Sequence, residues 1–262
     1  TVVASHHSAR LTVPGPSRTT NWAPSTLVAG TVSLALWWLA AGLWLVLTYA
    51  IFAALTVKED KPPFHRGING GWLLTVVATQ SLTVLGALLV PAIAEPWQRP
   101  LAFVALSMWM WGGMLYIWLM TLIFYRHLFF RLSPTDLDPP YWINMGAMAI
   151  SALAGALLVL DAHEVGFLGV LEPFLKGFTV FFWASGTWWI PLLLVLGVWR
   201  HVVRRFPLRY DPLYWAAVFP LGMYAVATHE MAEAMALPFL DVIPPYFLVA
   251  ALAAWLLTMA GL

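Results

Sequence analysis

The chain contains no cysteine and very little charge. The first absence excludes disulfides, thiolate metal sites and a cysteine nucleophile. The second sets the class. Only 10% of the 262 residues are Asp, Glu, Lys or Arg, against roughly 25% in a soluble domain. Lysine is nearly missing: Lys58, Lys61 and Lys176 are the full set, and none lies at the middle of an apolar stretch. A retinal-type Schiff base is therefore excluded. His65, His127 and His201 fall in linkers, and no two histidines face each other within an apolar stretch, which argues against haem ligation. There is no Gly-rich phosphate loop, no H-E-x-x-H and no nucleophile elbow. With a net charge of +1, bulk charge points to neither a nucleic acid nor an acidic partner. No cofactor is expected.

What the chain does have is apolar length. It is 61% hydrophobic, with a mean hydropathy of +0.81. A soluble fold of this size cannot bury that much apolar surface, so lipid must be the solvent for much of it. Residues 1–24 are polar and rich in Ser, Thr and Pro, and read as a disordered leader rather than a signal peptide. From 25 to 262 the sequence reads as one transmembrane domain. Seven apolar stretches are long enough for a core of about 30 Å, which needs ~20 helical residues. They are 27–55, 71–93, 101–125, 141–160, 174–199, 213–236 and 243–262. The fold class expected is all-α: a polytopic membrane protein of seven helices.

Seven spans make the linkers alternate between two sides. One side carries Lys58, Lys61, Arg66, Arg126, Arg131, Arg200, Arg204, Arg205 and Arg209; the other carries Arg99 and Lys176. The positive-inside rule places the first set in the cytoplasm, and with it the C-terminus. The first span then enters from outside. That is odd for a complete chain, and fits either a translocated leader or missing upstream helices.

An internal repeat is visible. Trp72, Trp142 and Trp215, 70 and 73 positions apart, each open an apolar stretch at the basic side. Each unit reads as a helix out, a short loop and a helix back. An aromatic belt would also put Trp there, but the matched order and basic linkers favour a repeat. Parallel repeats of this kind place a transport pathway at their axis.

Polar residues concentrate on the first helix of each unit. Thr75, Thr79 and Thr83 recur every four residues, flanked by Gln80 and Ser81. Asn144 and Ser151 share a side two turns apart, and Ala147, Ser151 and Gly155 form a small-residue stripe that permits close packing. Gly222, Val226 and Glu230 follow Phe219 and Pro220 down one face. The hydroxyls suit either a lined pathway or local bonds to neighbouring carbonyls; their alternation across three units favours the pathway. The return helices carry Trp109, Trp111, Tyr116 and Trp118, then Phe174, Phe178, Phe181, Phe182, Trp183, Trp188 and Trp189, and read as lipid-facing. Pro220 should kink its helix, either as a packing feature or to aim Phe219 into a lumen. His229, Glu230 and Glu233 near the outer end would need further ligands such as His163 or Asp161 to hold a metal. A solvated vestibule, with the carboxylates turned away or paired with Lys176, is the better reading, and no metal site is expected.

Three stretches carry a resemblance: Gly70-Gly71-Trp72 through Thr79-Gln80, Pro139-Pro140-Tyr141-Trp142 through Asn144 and Gly146, and Phe219-Pro220-Leu221-Gly222-Met223-Tyr224. They resemble the tellurite-resistance/dicarboxylate transporter family, related to the plant slow-type anion channels. The resemblance implies a ten-helix fold of five hairpins, quasi-fivefold around a central pore, in a cell membrane and often trimeric. It implies that odd-numbered helices line the pore and that a phenylalanine in the ninth occludes it. Counted from the C-terminus, the first span matches the fourth helix and 213–236 the ninth, so three helices of that pattern are absent. Phe219 and Pro220 are then the gate, and Thr75, Thr79, Thr83, Asn144, Ser151, Gly222 and Val226 the lining. The function expected is passage of small anions: C4-dicarboxylates such as malate, tellurite, sulfite or similar ions. The alternative is a seven-helix receptor or an intramembrane enzyme, for which the sequence supplies no catalytic groups.

Overall fold

The computed structural model describes residues 25–261, and the leader at 1–24 lies outside the described residues. Eight α-helices follow one another: α1 (Ser25–Val57), α2 (Phe64–Gly67), α3 (Leu74–Leu89), α4 (Glu95–Phe129), α5 (Ile143–Asp161), α6 (Gly166–Val198), α7 (Trp215–Met235) and α8 (Ile243–Ala260). No strand occurs among the described residues. Helix is the form these runs must take, because lipid offers nothing to a free backbone N–H or C=O. Among the described residues, six helices are long and apolar enough to cross a membrane: α1, α4, α6, and α3, α5 and α8 with their opening turns. The seventh expected span, α7, has 21 residues, but His229, Glu230 and Glu233 dilute its apolar character near one end.

The return helices are longer than their apolar runs suggested. Helix α4 begins at Glu95 rather than 101, and α6 at Gly166 rather than 174. Pro100 and Pro173, each just before an expected span, both lie inside a helix. Pro100 is the sixth residue of α4 and Pro173 the eighth of α6, past the first turn, so each removes one backbone hydrogen bond, which membrane helices tolerate.

Each long hairpin opens with the same device. A 3₁₀ turn precedes α3 (Gly70–Leu73), α5 (Pro139–Trp142) and α7 (Pro212–Tyr214). An Asx residue stands before each one: Asn69, Asp138 and Asp211. The Asn69 side chain accepts from the Gly71 amide at 2.9 Å, and Asp211 from the Leu213 amide at 2.8 Å. These bonds fix where the chain turns into the membrane.

The hairpins α3/α4, α5/α6 and α7/α8 each pack as a pair. Their first helices stand side by side in the order α3, α5, α7, and α1 lies against α3. Helix α5 is the centre: every residue from Ile143 to Val159 is buried, with α3, α4, α6 and α7 around it. Glycine makes that closeness possible. A Cβ on Gly146 would sit 2.8 Å from the Pro220 ring of α7, and one on Gly186 3.0 Å from Met148.

Candidate functional site

The hydroxyl stripe lies in the seams between helices. Thr79 accepts the indole N–H of Trp44 in α1 at 2.9 Å and donates to the Thr75 carbonyl at 2.7 Å. Thr83 donates to the Ala105 carbonyl of α4 at 3.2 Å. Ser151 donates to Ala147 at 2.7 Å while its own carbonyl accepts the Trp109 indole of α4 at 2.8 Å. Thr79, Thr83, Asn144 and Ser151 are all wholly buried. Thr75 is half-buried and bonded to the Trp72 carbonyl at 2.8 Å.

One arrangement recurs at three seams. A tryptophan on a return helix donates to the next first helix: Trp44 to Thr79, Trp109 to Ser151, and Trp183 to Thr228 at 2.9 Å. The aromatic residues are therefore not uniformly lipid-facing. Trp109 and Phe182 are fully buried, and Tyr116 and Trp189 nearly so, whereas Trp111, Trp118, Phe174, Phe181 and Trp188 are exposed. An indole N–H left in hydrocarbon is unfavourable, so it is satisfied in the seam, where a hydroxyl or carbonyl waits.

Two open faces remain. On α7, Phe219 and Gly222 border an apolar groove of about 460 Å³, closed on the other side by Ala251, Leu252 and Trp255 of α8. Val226, one turn on from Gly222, is 49% exposed. Pro220 points the other way and is buried against Gly146 of α5. The proline thus sets the α5–α7 contact, and its neighbour Phe219 is left on the open side. On α3 the open face is Leu74, Ala78, Ser81 and Leu88, at helical spacing opposite the threonines. Helix α5 contributes no open face.

Toward the C-terminal end of α7, His229 meets Asp241 with Nδ1 at 3.4 Å from Oδ1. Glu233 is exposed beside it. Lys176 does not reach these carboxylates; it pairs with Glu172 on its own helix at 2.6 Å. Among the described residues, no three His, Cys, Asp or Glu side chains are placed to hold a metal ion.

Sequence reasoning missed two arginines. Arg126 ends α4, is 7% exposed, and donates to the Ile68 carbonyl at 2.7 Å and the Tyr141 hydroxyl at 2.6 Å. It also pairs with Asp136 at 3.1 Å. Arg200, 74 positions on, is 9% exposed and donates to the Leu137 carbonyl. Both carbonyls stand immediately before the Asx residue that opens the same hairpin. Each guanidinium thus closes its own hairpin, which is a repeat read in hydrogen bonds. Asp138, beside Arg200, has its carboxyl held above the usual carboxylate range by partial burial, against the pull of that guanidinium.

Repeated long apolar hairpins, packed first helix to first helix, with buried arginines at one end, define a polytopic membrane protein of the transport type. The comparisons make the class specific. The family model described as "SLAC1: Voltage-dependent anion channel" matches residues 12–262, and the chain belongs to that family. An uncharacterized membrane protein of Mycobacterium tuberculosis is 41% identical over 148 residues, 56% of this chain and 75% of that one. An uncharacterized transporter of Methanocaldococcus jannaschii is 26% identical over 199 residues, 76% of this chain and 55% of its own length. A sulfite efflux pump of Trichophyton rubrum is 22% identical over 243 residues, 86% of this chain and 60% of the pump. The chain therefore spans a little over half the length of those two transporters. No solved structure matches. The family and the last two of these relatives are a channel and transporters by name, and the function class is membrane transport of anions.

Proposed function

We propose that this chain carries the gate of a small-anion pathway, with Phe219 as the occluding residue and Pro220 as the element that positions it. The observation that carries this reading is the opposition of those two neighbours. Pro220 is locked into the α5–α7 contact, while Phe219 borders the open groove beside Gly222. An aromatic ring on a pathway gates by excluding water. The lining proposed is the open face of α7, Phe219, Gly222 and Val226, and the open face of α3, with half-buried Thr75 at its edge. Thr79, Thr83 and Ser151 act from the seams, holding that face in place. Asn144 stands behind it, buried in α5.

The anions proposed are small and compact, sulfite or a C4-dicarboxylate such as malate, with tellurite in the same class. Selection rests on width and dipoles rather than a fixed cation, because no Lys or Arg stands on either open face. A cell membrane, a cytoplasmic C-terminus and a trimer belong to the same proposal. Purified protein in liposomes, followed by sulfite and malate efflux, tests it. Phe219→Ala should raise anion flux at least several-fold with Tm nearly unchanged. Unchanged flux from a folded variant removes Phe219 as the gate. No flux of any small anion from either protein removes the pathway from this chain.

A further inference from the structure

We propose that the segment following α6 is a binding site for an anionic phospholipid, whose phosphate meets Arg204, Arg205 and Arg209 while an acyl chain lies along α6. This is independent of what the chain transports. The last turn of α6 widens into a π-helix over Trp199–Val203, and the chain leaves it through Arg205 at φ 50°. Non-glycine residues seldom adopt that left-handed conformation. It turns the chain sharply and presents three exposed guanidinium groups within six residues. Arg204 lies over the Trp199 ring at 5.3 Å, which restrains it near the helix end.

Two contrasts separate this segment from an ordinary positive linker. Arg126 and Arg200 are buried and committed to backbone carbonyls. Among the described residues, Arg204, Arg205 and Arg209 pair with no carboxylate. In the α1–α2 linker, Glu59 and Asp60 stand between Lys58 and Lys61 and offset their charge. Here the nearest acid is Asp211, already accepting the Leu213 amide.

An apolar track leads to the cations. Leu194 and Val198 on α6 and Val202 in the π-helix, four residues apart, are 55%, 55% and 67% exposed, and Leu208 follows at 76%. An exposed apolar stripe that ends in unpaired guanidinium groups matches a lipid with its headgroup at the interface. The stripe is what a spanning helix presents to any lipid, and the three guanidinium groups at its end supply the preference for an anionic headgroup.

The test uses the full chain in a neutral detergent, titrated with dioleoyl phosphatidylglycerol or dioleoyl phosphatidylcholine, with thermal stability and lipid retention in native mass spectrometry as readouts. The phosphatidylglycerol should stabilise and co-migrate preferentially. The variant R204Q/R205Q/R209Q should need on the order of tenfold more of it, or worse. On the wild type alone, raising NaCl to molar strength should abolish the preference, because exposed charges are screened within ~3 Å there. Equal effects of the two lipids would overturn the proposal. So would an undiminished preference in the variant or in high salt. A matching stabilisation by inorganic phosphate would overturn the lipid as occupant.

Discussion

Arg126 donates to the carbonyl of Ile68, 58 residues earlier, at 2.7 Å. The bond joins the end of the first hairpin to the residue just before its opening turn. The same guanidinium reaches Asp136 in the linker and Tyr141 in the opening turn of the next hairpin, so one side chain ties two repeat units. Arg126→Met should lower stability by about 1–3 kcal/mol, since it strands the Ile68 carbonyl and leaves Asp136, a third exposed, with only the Ser133 amide. Arg126→Lys should recover only part, because an ammonium cannot serve three partners in the geometry of a planar fork. Thermal unfolding in detergent checks both. Equal stability of all three proteins would show that the network is ornamental.

Asp138 gives a pH signature at the same end. Its carboxyl is held above the ordinary value of 3.8 by burial. A raised acid favours the folded state when protonated, so its contribution is complete below pH 3.8 and is lost as pH rises through the higher folded value. Asp138→Asn should therefore be neutral to slightly stabilising at pH 7, with the difference from wild type shrinking to nothing as pH falls below about 4. The side chain is largely exposed, so the effect should be small. A variant clearly less stable than wild type at pH 7 would mean that the Arg200 attraction outweighs the burial.

The α4–α5–α6 junction depends on one missing methyl. A Cβ at Gly155 would fall 2.7 Å from the Trp109 ring and against the Thr179 hydroxyl. Backbone fixes Gly155, and Trp109 is held by its bond to the Ser151 carbonyl, so neither can yield freely. Gly155→Ala should cost about 1–3 kcal/mol. Trp109→Phe, which removes the donor and half of a wholly buried indole, should cost about 2–3 kcal/mol. If Gly155→Ala proved silent, the seam would be looser than its distances say.

The hairpin order was legible because it rests on two strong signals: apolar runs of spanning length, and a tryptophan beside a basic linker at the entry to each unit. Family membership was legible in the same short motifs. What each polar residue faces was not. A threonine every four residues defines a stripe on α3, yet Trp44 of α1 and Ala105 of α4 decide what that stripe meets. In a soluble helix the polar face points to water. In lipid the solvent is as apolar as the side chains, and polar groups turn toward neighbouring helices instead. The charge pattern had the opposite failing. Nine basic residues on one side looked alike as topology signals, although Arg126 and Arg200 are buried. Their spacing of 74 positions matched the tryptophan repeat and was the available clue.

Thr79 and Ser81 offer the sharpest division between seam and pathway, since they are two residues apart and face opposite ways. Thr79 is buried and accepts the Trp44 indole; Ser81 is exposed on the open side of α3, bonded only to the Val77 carbonyl of its own helix. Thr79→Val removes an acceptor and strands an indole N–H, and should cost about 1–3 kcal/mol while leaving the anion preference of reconstituted protein intact. Ser81→Trp adds bulk where the structure leaves room, so Tm should hold while flux falls if α3 lines the pathway. The pair separates two questions that either variant alone would blur. Flux lost in Thr79→Val without loss of Tm would return the hydroxyl stripe to the lumen. A Ser81→Trp protein with normal flux would place the pathway beyond the open face of α3.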